Sequence, residues 1–196
     1  MMKNMTQNNV IVVGGGMVGA AMAIKLAQQG KSVRIIEKHL IDPPHVLSND
    51  NVDIRVSAIN RFSEKLLDGL GAMPILRKGR IAPYQQLEAF ERGDDKLLFD
   101  CADINTTHLG HLIENSLIQA SLWMQFEQYD IEVIEQKQVV SKIEQNADSI
   151  TLVYGEQRYT ASLVVAADGG QSQLRTKANI GVTGWQYQQQ CMGVLI

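Results

Sequence analysis

A strand, a glycine turn, a helix, a second strand and an acid follow one another within the first forty residues. No other feature constrains the fold as strongly. Val10-Ile11-Val12-Val13 is a continuous β-branched run, and Gly14-Gly15-Gly16-Met17-Val18-Gly19 follows at once. Ala20, Ala21, Ala23, Ile24 and Leu26 suit a small-residue helix that stops at Gly30; Val33 to Ile36 make a second apolar run, closed by Glu37. This is the order of a dinucleotide-binding βαβ unit, with the three glycines of G-x-G-x-x-G between strand and helix. Each part has its own task. Gly14 permits the tight turn, Gly16 lets a pyrophosphate approach the backbone without meeting a Cβ, and Gly19 lets the helix pack close to the strand. The helix N-terminus offers free N–H groups and the positive end of its dipole to phosphates. Glu37 can accept hydrogen bonds from ribose hydroxyls, and its charge repels a 2′-phosphate. The motif therefore suits FAD or NAD better than NADP.

A chain of 196 residues is one large domain, or one domain and part of another. With 45% hydrophobic and 20% charged residues it has an ordinary globular composition. A net charge of −3 and the lack of a basic stripe argue against nucleic acid as a partner. No apolar stretch is long enough to span a bilayer, and the polar start, Met1 to Asn9, does not read as a signal peptide. Cys101 and Cys191 stand apart, outside any C-x-x-C pattern, and are expected to be reduced cysteines of a cytoplasmic protein.

Along the chain, Ile41 to Asp53 carries Pro43, Pro44, Asn49, Asp50 and Asn51 and predicts a long surface loop. Apolar spacing predicts helices over Ser57–Leu70 and Ile113–Phe126. Leu87–Phe90 and Lys96–Phe99, flanking Arg92-Gly93-Asp94-Asp95, predict a hairpin. Ile131–Ile134 reads as a strand, and Val139–Ile143, Ser149–Tyr154 and Gln157–Ser162 as antiparallel strands around Gly155. Leu163–Ala167 reads as a buried strand that delivers Asp168-Gly169-Gly170 into a sharp turn, with Ser172 placed to cap the next turn of the chain. The final Cys191 to Ile196 reads as the start of an apolar strand. Natural termini usually end in solvated residues, so a truncated chain is expected. Its unpaired strand is expected to make the fragment self-associate.

Leu163 to Arg175, with its Asp168-Gly169 turn, resembles the second fingerprint of the aromatic-ring hydroxylases, the flavin monooxygenases built like p-hydroxybenzoate hydroxylase. Asp53-Ile54-Arg55-Val56-Ser57-Ala58-Ile59, Leu109-Gly110-His111-Leu112-Ile113-Glu114-Asn115 and Trp185-Gln186-Tyr187 are similar to the bacterial ubiquinone-biosynthesis hydroxylases. Gly184 to Tyr187 with Cys191-Met192 resembles their 3-demethoxyubiquinol 3-hydroxylase branch. The resemblance covers essentially all 196 residues. It does not extend to the family's second half, which carries a Gly-Asp-Ala-Ala-His segment at the ribityl chain and most of the wall facing the flavin ring.

The resemblance implies an α/β fold: a Rossmann-like FAD-binding domain of the p-hydroxybenzoate hydroxylase type, with strands of a partial antiparallel substrate sheet. The expected division is 1–80 and 102–180 for FAD and 81–101 and 181–196 for the incomplete substrate domain. It implies FAD as cofactor, NADH or NADPH as reductant and O₂ as co-substrate. The implied reaction is hydroxylation of a polyprenylated benzoquinol through a flavin C4a-hydroperoxide, by a cytoplasmic protein peripheral on the inner membrane or part of a biosynthetic complex. The flavin carries this chemistry, so no catalytic side chain is assigned. On this reading the chain by itself is an inactive fragment. Another polyprenyl-phenol hydroxylase and a non-catalytic nucleotide-binding fragment stay open as alternatives.

The cofactor-binding residues expected are Gly14, Gly16, Gly19, Glu37, Arg55, Asp168 and Gly169. By resemblance, Asp168-Gly169 lies near the pyrophosphate and the nicotinamide path, and Arg55 points at the FAD; the alternative for Arg55 is a surface ion pair with Asp53. Glu114 and Asn115 lie near the cofactor by resemblance and serve equally well as a helix cap. Trp123 and Trp185 are expected in the core or a domain interface. His108-x-x-His111 has a metal-like spacing, but Gly110 intervenes and no third ligand is near in sequence, so no metal is expected.

Overall fold

The β-branched run at the start forms β1 (Asn9–Val13), and all five of its residues are buried. Side chains alternate across a strand, so β1 feeds two cores at once. Val10 and Val12 face one layer, Ile11 and Val13 the other. The computed structural model describes residues 9–90 and 96–190. After β1 come α1 (Met17–Gln28), β2 (Ser32–Glu37), α2 (Pro43–Ser48), β3 (Val56–Asn60), α3 (Arg61–Gly69) and α4 (Met73–Leu76). Next are β4 (Ile81–Tyr84), β5 (Gln86–Phe90), β6 (Lys96–Asp100), β7 (Gly110–Glu114), α5 (Asn115–Trp123) and β8 (Glu132–Glu135). The last are β9 (Lys142–Gln145), β10 (Ile150–Tyr154), β11 (Gln157–Ala161), β12 (Leu163–Ala166) and α6 (Gln173–Lys177).

A parallel sheet in the order β12-β1-β2-β8 lies at the centre. On one face, Val10, Val12, Val33 and Ile35 pack against Ala20, Ala23 and Ile24 of α1 and Leu117, Ile118 and Leu122 of α5. On the other, Ile11, Val13 and Ile36 meet Leu152, Tyr154 and Ala161 of the antiparallel β11-β10-β9 sheet, with Leu174 of α6. The result is three layers, helix on parallel sheet on antiparallel sheet. A second antiparallel sheet, β3-β7-β4, leads directly into α5, and β5-β6 forms a hairpin. The boundary expected between 80 and 81 falls between strands that share the β3-β7-β4 sheet. No helix among the described residues is long and apolar enough to cross a membrane.

Several local expectations need correction. The helix predicted over Ser57–Leu70 is β3 followed by α3: Ser57 to Asn60 pair with Ile113 to Gly110, and the Asn60 side chain caps α3 by accepting from the Ser63 amide. Phe62, an apolar residue within that span, is 79% exposed. Likewise Ile113 and Glu114 are the end of β7, and the helix starts at Asn115. The loop predicted over 41–53 contains α2, opened by Asp42 as side-chain cap and by proline in the first turn, the arrangement that favours a helix start. β12 pairs only with β1 among the described residues and is half-exposed along its length, not fully buried. Trp185 is 76% exposed and rests edge-on against Tyr187. Cys101 is a buried free thiol. The strand expected at Cys191–Ile196, and with it the expected self-association, lies outside the described residues, as does the turn at 91–95.

The glycine turn joins sheet to helix with no room to spare. A Cβ on Gly19 would lie 1.9 Å from the Gly14 carbonyl oxygen. One on Gly14, whose φ is +102°, would lie 2.2 Å from the Ala167 oxygen. Both contacts are with backbone, which cannot rotate away. Gly19→Ala should therefore lower stability by about 1–3 kcal/mol or more through overpacking. Gly16→Ala, with open space around it, should lose less than about 1 kcal/mol as a helix-cap substitution. Urea denaturation of both variants checks this, and equal midpoints for Gly19→Ala and wild type would show that α1 can back away from β1.

Candidate dinucleotide site

The C-terminal ends of β1, β2 and β12 converge on one cleft, the position at which open parallel sheets bind ligands. Backbone hydrogen bonds lock them together: the Gly14 amide donates to the Ile36 carbonyl and the Ala167 amide to the Val13 carbonyl, both at 2.8 Å. The cleft encloses about 520 Å³. Gly14, Gly16, Glu37, Asp168 and Gly169 line it, together with the 136–140 segment that comes after β8. Tyr154 closes the floor; burial, then the charge of Asp168, pushes its phenol up to about 12, so it remains neutral. Lys38 and Lys137 also line the cleft, the latter paired with Glu135 at 3.2 Å.

The turn itself is held from three sides. Glu37 accepts from the Gly15 amide through Oε2 and from the His39 amide through Oε1. The Gly15 carbonyl accepts from the indole N–H of Trp123 at 2.7 Å and from Gln119 Nε2 at 2.9 Å, both on α5. A Cβ on Gly15 would lie 2.7 Å from the Trp123 ring. Gly15 is thus constrained too, by a side chain where Gly14 and Gly19 meet backbone, although the fingerprint leaves its position free. Gly16 differs from all of them. Its backbone is extended with φ −64°, accessible to any residue, and a Cβ would meet nothing within 4 Å. It is the N-cap of α1 without a capping side chain, so the amides of the first turn have no side-chain acceptor there. The protein's own packing does not require glycine at this position. The open space beside Gly16, at a helix N-terminus with no capping side chain, leaves room for a pyrophosphate, which a side chain there would crowd.

The family model for the FAD binding domain matches residues 7–196. The chain belongs to this FAD-binding family. It is 36% identical over 184 residues to the 3-demethoxyubiquinol 3-hydroxylase of Escherichia coli (strain K12), covering 93% of this chain and 46% of that protein. It is 27% identical to the mitochondrial ubiquinone biosynthesis monooxygenase COQ6 of Dictyostelium discoideum, covering 94% of this chain and 41% of the relative. The chain therefore spans less than half the length of these curated relatives. The crystal structure of p-nitrophenol 4-monooxygenase PnpA from Pseudomonas putida DLL-E4 shares the fold, with a TM-score of 0.66 at 23% identity over 86% of this chain and 42% of that one.

Within this FAD-binding domain, the residues expected at the cofactor separate into groups. Gly14, Gly16, Glu37, Asp168 and Gly169 meet in the cleft, and Gly19 lies behind it, under the Gly14 carbonyl. Asp168 accepts from the Ser172 hydroxyl and from the amides of Gln173 (2.7 Å) and Leu174 (3.2 Å), so its carboxylate fastens the start of α6. Ser172 caps that helix as expected, accepting from the Arg175 amide. Arg55 is not among the cleft-lining residues. Nor does its guanidinium pair with Asp53, whose carboxylate accepts from the Arg55 amide instead, at 3.0 Å.

Glu114 stands at the N-cap of α5, but its side chain caps nothing. It is buried, bonds Arg80 through Nε (2.9 Å) and Nη2 (3.3 Å), and accepts from the Asp53 amide at 2.7 Å. Arg80 also donates to the carbonyls of Asn49 and Asn51, clasping the segment that leads to Arg55. Asn115 turns its side-chain oxygen to the Ser57 hydroxyl. Capping is therefore not what these two side chains do. Arg80 lies 34 residues from Glu114, and no local pattern announces such a pair.

Burial opposes ionisation of Glu114, but the Arg80 guanidinium and the Asp53 amide outweigh it and hold the carboxyl below its ordinary 4.5. Its ionised form thus stabilises the fold at neutral pH, and that contribution is lost as pH falls below about 4.5 through the lowered folded value. Arg80→Ala should cost about 2 kcal/mol, less than for a wholly buried pair because Arg80 is partly exposed. Glu114→Gln should flatten the acid limb of the stability profile. Urea unfolding followed from neutral pH down to the onset of acid unfolding checks both, and an unchanged acid limb in Glu114→Gln would assign the acid sensitivity elsewhere.

Proposed function

We propose that the cleft binds the ADP half of FAD, and that the whole protein is an NAD(P)H- and O₂-dependent aromatic-ring monooxygenase of ubiquinone biosynthesis. The observation that carries the reading is Gly16, a glycine that packing does not need, at an uncapped helix N-terminus. The similarity to the Escherichia coli 3-demethoxyubiquinol 3-hydroxylase supports the activity and the substrate class, a polyprenylated benzoquinol. On this reading the first-turn amides of α1 hold the pyrophosphate. Glu37 keeps a further lone pair on each oxygen for the ribose hydroxyls while its existing bonds hold the turn. Gly169, with φ +89° and open space around it, allows close approach from the β12 side. Asp168 positions that turn through α6; Arg55, which does not line this cleft, is assigned to the cofactor on the family resemblance.

When bound and reduced by NAD(P)H, the flavin supplies the activated oxygen, and the protein's part is to hold and orient it. The β5-β6 hairpin and the 181–190 segment belong to the substrate side. A polyprenyl tail would bring the whole protein to the membrane surface. Gly16→Val tests the cofactor assignment in the whole protein. It should fold, with a wild-type circular dichroism spectrum and no more than about 1 kcal/mol of stability lost in urea unfolding, yet lose at least tenfold in FAD affinity, measured by flavin fluorescence quenching. A folded Gly16→Val protein that retains wild-type FAD affinity would overturn the assignment. Product analysis with a short-chain demethoxyquinol and NADH or NADPH tests the activity separately.

A further inference from the structure

The fold brings two histidines and a carboxylate together outside the cleft. His111 is the second residue of β7, in the middle of the β3-β7-β4 sheet, opposite Ile59 and Pro83. His108 lies in the loop just before β7, and Glu64 projects from the first turn of α3, which starts where β3 ends. The His108 Nε2 lies 3.1 Å from Glu64 Oε2, and the His111 Nδ1 lies 3.7 Å from Glu64 Oε1. The two imidazoles stand edge to face with centroids 4.6 Å apart. One ligand atom from each residue lies within 4.8 Å of the other two. The side chains are 12–17% exposed, so the group is sheltered yet open on one side.

One atom in this group lacks an explanation. The His111 Nδ1 is buried and has no hydrogen-bond partner. Its 3.7 Å to Glu64 is too long for a hydrogen bond. It is close to the spacing of two donors on one ion, because bonds of about 2.0–2.1 Å in a tetrahedron set ligands roughly 3.4 Å apart. Thr107 Oγ1 sits 2.9 Å from His108 Nδ1 and fixes that ring with Nε2 turned toward Glu64, as an outer partner of a ligating histidine does. Two guanidiniums face the group, and both have other acceptors. Arg77 reaches Glu64 at 3.7 Å but bonds Asp68 at 3.0 Å, and Arg61 donates to the His108 carbonyl.

We propose that Glu64, His108 and His111 form a site for a divalent transition-metal ion, zinc foremost, with a fourth position open to solvent. Two imidazoles and a carboxylate suit zinc rather than magnesium or calcium, which take oxygen ligands. The expectation of no metal rested on the lack of a third ligand near in sequence, and α3 supplies one 44 residues before His108. Bound metal would pin α3 to β7, the strand that runs into α5 and so to the helix that braces the Gly15 carbonyl. The inference does not depend on flavin binding.

Untagged chain freed of metal with a chelator, then titrated with zinc in competition with a chromophoric chelator, tests the site. Cobalt serves as a spectroscopic probe of the same ligands. One zinc per chain, a raised unfolding temperature and tetrahedral cobalt absorption are expected. His108→Ala and His111→Ala should each weaken zinc about tenfold or more. His45→Ala, on α2 and outside the cluster, should leave binding unchanged. If His111→Ala does not fold, His111→Cys keeps the test alive: a thiolate there should restore zinc and shift the cobalt spectrum to sulfur ligation. No zinc bound by folded wild type, or equal affinity in the folded His108→Ala, His111→Ala double variant, would overturn the proposal.

Discussion

The contact of backbone on backbone between the β1 turn and the first coil of α1 sets the rest of the structure. Gly19 lies against the Gly14 carbonyl, and Gly14 against Ala167, with no side chain in between. That closeness draws α1 onto the sheet, lets Val10 and Val12 share a core with Ala20, Ala23 and Ile24, and leaves the helix N-terminus aimed along the strand ends. The opposite face of β1 anchors a different partner, the β9-β10-β11 sheet. A single five-residue strand therefore seeds both interfaces of a three-layer fold, and the cleft opens where its parallel neighbours stop.

What could be read in the amino-acid order was what neighbours in sequence decide. The three fingerprint glycines, Glu37 and the Ser172 cap are governed by a turn and its flanks, and each stands where its local pattern puts it. Gly15 escaped because its constraint comes from Trp123, 108 residues away. The helix expected from Ser57 ran together a strand and the helix after it: β3 passes into α3 without a loop, so apolar spacing carried across the junction. The same merger hid the boundary at Glu114. Arg80 and Glu64 carried no local sign at all, since their partners arrive through the pairing of β7 with β3 and β4.

Two acids show how one residue type diverges by surroundings. Asp168 spends its lone pairs on the Ser172 hydroxyl and two amides of its own chain, tying a cleft loop to α6. Glu114 is buried with a guanidinium and a backbone amide, tying the 49–53 segment to the head of α5. The resemblance sets both near the cofactor, and in the structure both act on the shape of the protein. Proximity to a site and contact with its ligand are separate claims.

The three glycines of the turn answer to different masters. Gly14 and Gly19 are demanded by the chain's own backbone, Gly16 by nothing within the chain. Among descendants of this fold, drift at the first two would push the turn apart and cost stability. Drift at Gly16 would leave the scaffold sound and change only the surface that the turn presents to the cleft. A relative with glycine at the first and third positions of the motif and a branched residue at the middle one would keep this packing and differ only on the open side of the turn.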